Sequence, residues 1–142
     1  KKMTKLNNTL YPGVDKKTIL DRLQGDHSVR MCEPIATEPE PTVMISKEAF
    51  EIAINVSKNR GFANHSFWQR VFYVAESVIF DDAAISEYKH APTTGMSMVY
   101  MCPKLGEAFR KQADRMKIRT GIVLGVGVLK LEKLLREFDP IE

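Results

Sequence analysis

The chain has little cysteine, little histidine and no long apolar run, and each scarcity closes off a class of protein. Its two cysteines, Cys32 and Cys102, lie far apart and neither sits in a Cys-x-x-Cys pair. A chain of 142 residues buries roughly two-thirds of its unfolded surface without covalent staples. Two cysteines in such a chain suggest a reducing compartment and no disulfide framework. His27, His65 and His90 are scattered, with no pair at helical metal spacing, so no metal site is expected. Gly125 and Gly127 make a lone Gly-x-Gly without the third glycine of a dinucleotide fingerprint, and no phosphate-binding loop occurs. No cofactor is expected. The longest uncharged apolar run, Ile122 to Leu129, is far short of the roughly 20 residues that span a bilayer. No apolar segment opens the chain. These absences suggest a soluble, cytoplasmic protein with no membrane partner.

The catalytic inventory is correspondingly thin. Cys102 precedes a helix expected to begin at Pro103, and a helix N-terminus favours a thiolate. It would need a base, and His65 and His90 are the ones on offer. A small cysteine-dependent enzyme is therefore a minor alternative to a protein that is not an enzyme. Asp81-Asp82 and Glu132/Glu137 read as a helix cap and a solvated face rather than as paired catalytic acids.

What the chain does have is charge, unevenly spread. The formal net charge is +3. Residues 1–30 carry seven basic and three acidic side chains, residues 31–57 one and five, and residues 103–137 nine and four. Asymmetry of that kind points to an acidic or polyanionic partner more strongly than the total does.

The pattern divides the chain into residues 1–42 and 43–142. Residues 1–13 read as a flexible basic arm ending in a Pro-Gly turn. A short helix with Ile19, Leu20 and Leu23 on one face follows Asp15 and stops at Gly25. Pro34, Pro39 and Pro41 among Glu33, Glu38 and Glu40 forbid a regular helix and favour an extended acidic linker. The domain proper is expected from Val43 as a single compact, mainly helical unit with at most one short strand or hairpin. Ser46 caps a helix that Gly61 ends, with Phe50, Ala53, Ile54 and Ser57 at helical spacing. Phe67 to Ile79 forms a second helix, capped by Asn64 or Ser66, whose wide apolar belt marks a core element. Asp81 or Asp82 caps a third that Pro92 stops, and Met96 to Cys102 reads as one strand. A basic helix runs from Pro103 to about Ile118 with Leu105, Ala108, Phe109, Gln112, Ala113 and Met116 inward. Thr120 to Val128 is open between helix and strand, because two glycines cost about 2 kcal/mol in a helix interior. A helix is expected from Val128.

Two readings of the last third compete. Gly121, Leu124, Gly125, Val126, Leu131 and Leu134 have the spacing of a helix-turn-helix, but Gly127, Val128 and Leu129 give its second helix few base-reading groups. Alternatively, the same glycines allow two backbones to approach closely, within the molecule in preference to between copies. The expected function is a non-enzymatic, nucleic-acid-associated accessory or regulatory protein. Arg110, Lys111, Arg115, Lys117, Arg119, Lys130 and Lys133 would contact phosphates, on DNA or RNA, without reading sequence. The rival is a protein–protein adaptor or assembly subunit, with the arm and linker ordering on a partner and the Leu131/Leu135/Phe138 end packed against it. A homo-oligomer is compatible with either.

Overall fold

The structure, a computed structural model, describes residues 10–24 and 40–138. The arm before Leu10 and the linker from Gly25 to Pro39 lie outside the described residues. The described elements are α1 (Lys16–Gln24), β1 (Glu40–Ser46), α2 (Lys47–Arg60), α3 (Asn64–Ser77), α4 (Asp82–His90), β2 (Met96–Met101), α5 (Pro103–Met116) and α6 (Thr120–Phe138). The fold is mainly helical with one two-stranded antiparallel sheet.

α6 is the central element, packed against α2, α3, α4, α5 and β1. It is helical from Thr120 onward, through both glycines that left the segment open in sequence. The reason is close approach. A Cβ on Gly121 would come within 2.9 Å of the Met44 carbonyl oxygen, one on Gly127 within 2.8 Å of Val71, and one on Gly125 within 2.2 Å of the Tyr88 ring. Each glycine is a notch that receives a neighbour, and the packing outweighs the propensity cost. The intramolecular form of glycine packing is the one observed. The helix-turn-helix reading falls, because all six of its positions lie on one uninterrupted helix.

The caps explain where the other helices start and stop. Ser46 Oγ accepts from Ala49 N at 3.2 Å, and Gly61 ends α2 in the left-handed region at φ 73°. Asp81 Oδ1 accepts from Ala84 N at 2.9 Å at the head of α4. α3 begins earlier than its sequence suggests. Asn64 is inside the helix and Ala63 is the cap, without a side-chain bond. Asn64 uses its amide elsewhere: Oδ1 accepts from Trp68 Nε1 at 3.2 Å, and Nδ2 donates to the Tyr100 carbonyl at 3.0 Å.

The sheet pairs strands that are remote in sequence, with Met44 opposite Met98, Ile45 opposite Ser97 and Ser46 opposite Met96. β1 reaches into the segment that reads as linker. Pro41 cannot donate to a ladder, and the register shifts between Pro41 and Val43, so the strand tolerates its proline at an irregularity. α1, set apart from the domain by sequence, puts Ile19 and Leu23 into the same core as α3. Buried Arg70 of α3 fastens it there, donating from Nε to the Leu23 carbonyl at 2.8 Å. Leu10 bridges to Val78, and Tyr11 N donates to the Ser77 carbonyl at 3.1 Å. The end of the expected arm is thus pinned to α3.

Candidate binding surfaces

The seven basic residues do not share one surface. Lys130, on the inner side of α6, is 0% exposed, 5.9 Å from the centre of the Phe80 ring. Burial pushes its ammonium below the usual lysine range; nearby Asp81 opposes that shift and Lys133 adds to it. Lys130 therefore cannot meet a phosphate at the surface. The buried stripe of α6 wraps nearly its whole circumference, wider than the expectation of Lys130 as a surface contact allowed. The Lys133 side chain is 20% exposed and pairs with Glu137 at 3.9 Å. Arg110 is exposed but paired on both sides, bidentate to Glu107 and 3.6 Å from Asp114. Its guanidinium holds the Glu107 carboxyl below the ordinary range.

Lys111, Arg115, Lys117 and Arg119 are each exposed, on the last turns of α5 and the turn into α6. Arg115 is not wholly free, since its Nε donates to Gln112 Oε1 at 3.0 Å. Gln112 is buried and its Nε2 donates to the Ala75 carbonyl at 3.0 Å, joining α5 to α3. Glu76 stands near: burial raises its carboxyl, while Arg115 first and then Arg22 pull it down. Lys117 closes α5 in the left-handed region at φ 62°. Of the seven expected cations, Lys130 is buried and Arg110 and Lys133 are ion-paired, which leaves four exposed.

Cys102 corrects two expectations. It is buried and disulfide-bonded, so it offers no thiolate nucleophile. The chain has one other cysteine, Cys32, which lies outside the described residues. A low cysteine count therefore did not mean free thiols. Among the described residues no group of three His, Cys, Asp or Glu side chains is placed to hold a metal ion, and no helix is long and apolar enough to cross a membrane. The adaptor reading also loses its proposed face, because Leu131 and Leu135 are buried in the core; the Phe138 side chain lies outside what is described.

An apolar groove lies elsewhere, and sequence reading missed it. Phe50, Ala53, Ile54, Ser57 and Lys58 of α2 face Phe62 and the first turns of α3, where Asn64, Phe67 and Trp68 complete a trough of about 320 Å³. Phe67 and Trp68 meet edge to face with centroids 5.0 Å apart, and the Asn64–Trp68 bond satisfies the indole. Phe62 is backed by the Arg70 guanidinium, 4.0 Å from its ring centre. Ile54, expected to face inward, is 50% exposed along this trough. Ala49 and Ala53 are the buried residues of α2. The available signal was an α2 apolar on more than one side, which a surface helix does not need. Among the described residues Lys58 is the only ionisable side chain in the lining.

No family model, curated protein or solved structure matches this chain.

Proposed function

We propose that the protein is a non-enzymatic adaptor or assembly subunit that docks a partner protein in the α2–α3 groove. The observation that carries this reading is the half-exposed Ile54 over a floor of Phe50, Phe62, Phe67 and Trp68, with Lys58 as the only ionisable group of the lining among the described residues. Recognition surfaces are enriched in aromatic anchors held rigid before binding, and this trough is held by the Asn64–Trp68 bond and the Arg70–Phe62 contact. Among the described residues its lining contains no acid, histidine or cysteine to serve as a general acid, base or nucleophile. The ligand it fits is a peptide segment with an apolar anchor for the trough and an acidic residue for Lys58.

The test is partner retention from a native extract by the full chain and by surface variants. Ile54→Asp should abolish retention and Lys58→Glu should weaken it, while thermal unfolding of both stays close to wild type. Retention untouched by Ile54→Asp would sink the reading.

Nucleic-acid association is the second reading, carried by the exposed Lys111, Arg115, Lys117 and Arg119, which follow one another within nine residues. It predicts retention of duplex DNA or RNA that falls steeply between about 50 and 200 mM salt. Reversing Lys111 and Lys117 to Glu should remove it, with Ile54→Asp neutral. No retention at low salt leaves the adaptor reading alone.

A further inference from the structure

Arg70, buried in α3, serves two neighbours with one side chain. Towards α1, its Nε donates to the Leu23 carbonyl at 2.8 Å. The last four carbonyls of a helix have no partner within it, and a cation there also meets the negative end of the helix dipole. On its own helix, one terminal nitrogen donates to the Ser66 carbonyl at 3.2 Å and to the Ser66 hydroxyl. Towards the groove, the guanidinium carbon stands 4.0 Å from the centre of the Phe62 ring, which is part of the lining. Guanidinium donors lie in one plane, so the bonds to Leu23 and Ser66 fix that plane and with it the surface Phe62 packs on.

The two neighbours are small pieces of structure. α1 is a nine-residue helix that docks on α3 through Ile19 and Leu23, 2% and 1% exposed, with the Arg22 guanidinium 5.3 Å from the Tyr73 ring centre. A helix that short is marginal by itself in water, so α1 is ordered only while it is docked. Phe62 sits in the turn 61–63 between α2 and α3. Its N–H donates to the Ser57 carbonyl at 2.9 Å, and Ser57 and Trp68 line the same trough. A shift of Phe62 is therefore a change in the groove.

We propose that the docking of α1 regulates the α2–α3 groove through Arg70. With α1 in place the guanidinium is held against Phe62, and the groove keeps the shape a ligand meets. With α1 released, the Leu23 carbonyl is withdrawn and water enters where the helix lay. A buried charged group that loses a hydrogen bond turns to the water that replaces it, so the guanidinium moves off Phe62 and that wall loosens. Coupling of this kind is reciprocal, and a ligand that tightens the groove also raises the protection of α1. The inference rests on the groove being the docking site.

Ile19 is the place to weaken α1, because it is buried there and does not line the groove. In the full chain, Ile19→Val and Ile19→Ala should speed amide exchange of α1 in graded steps, roughly tenfold or more for alanine, while α6 keeps its protection. The Phe62 amide should exchange faster in the same order. Trp68, the chain's one tryptophan, should become more open to acrylamide quenching. In an Arg70→Met background, Ile19→Ala should still speed α1 but no longer move Phe62 or Trp68. If Ile19→Ala loosens α6 as well, Ile19→Val carries the comparison. Faster exchange in α1 with Phe62 and Trp68 as in wild type would overturn the proposal, as would an Ile19→Ala effect of the same size without Arg70. Retention of a partner that ignores Ile54→Asp sinks the docking reading instead, and the Phe62 and Trp68 readouts, which need no ligand, still decide the coupling.

Discussion

Gly125 and Glu48 make the sharpest single-residue tests. Alanine is the better helix former by about 1 kcal/mol, so Gly125→Ala should stabilise a helix judged by propensity alone. Its Cβ would instead collide with the Tyr88 ring, whose hydroxyl is held by Ser46 N. Overpacking of this kind costs about 1–3 kcal/mol. Urea unfolding should show a net loss, and Tyr88→Ala should cancel or reverse it in a double-mutant cycle. Glu48 fastens the loop before β2 to the head of α2. The Thr93 hydroxyl, then the Thr94 N–H, together with the Thr94 hydroxyl, lower its carboxyl from about 4.5 to about 2. A depressed acid contributes fully above its unfolded value and loses that contribution as pH falls towards the folded one. Stability should decline from about pH 4.5 to about pH 2, and Glu48→Gln should flatten that part of the acid-unfolding curve.

At the scale of elements, Arg70 is the tie between α1 and the body. It reaches the Leu23 carbonyl at the C-terminal end of α1, accompanied by bonds to the Ser66 carbonyl at 3.2 Å and to the Ser66 hydroxyl. Hydrogen bonds from a charged group are worth about 1.5–3 kcal/mol, so Arg70→Met should speed amide exchange in α1 by roughly ten- to a hundredfold. Amides of α6 should keep their protection. The helices were legible wherever local chemistry decides them: Ser46, Gly61, Asp81 and Pro103 mark their ends through caps and fixed dihedrals. β1 was not legible, since its pairing depends on a strand beyond three intervening helices, and Pro41 with the prolines before it in sequence argues for a linker. Lys130 was misplaced because a charged residue within an apolar stripe reads as surface until neighbours enclose it on every side. The groove arises between α2 and α3, and no single-helix periodicity describes the space between two helices.

Across the whole molecule, covalent chemistry and packing act together. The bonded Cys102 sits at the junction of β2 and α5, in the core that also holds Met101 and Leu105. Folded protein should therefore resist alkylation at Cys102 until reductant is added, which mass mapping would record; labelling without reductant would contradict the bond. α6 carries a wider consequence. Its first half, Thr-Gly-Ile-Val-Leu-Gly-Val-Gly, is rich in glycine and β-branched residues, poor material for a helix in water. A synthetic peptide of residues 120–138 should be mostly coil by circular dichroism. The molecule's central rod can thus exist only after its surroundings have assembled around it, and they in turn have nothing to assemble on without it. Such mutual dependence leaves no stable halfway species, and unfolding should be a single all-or-none transition.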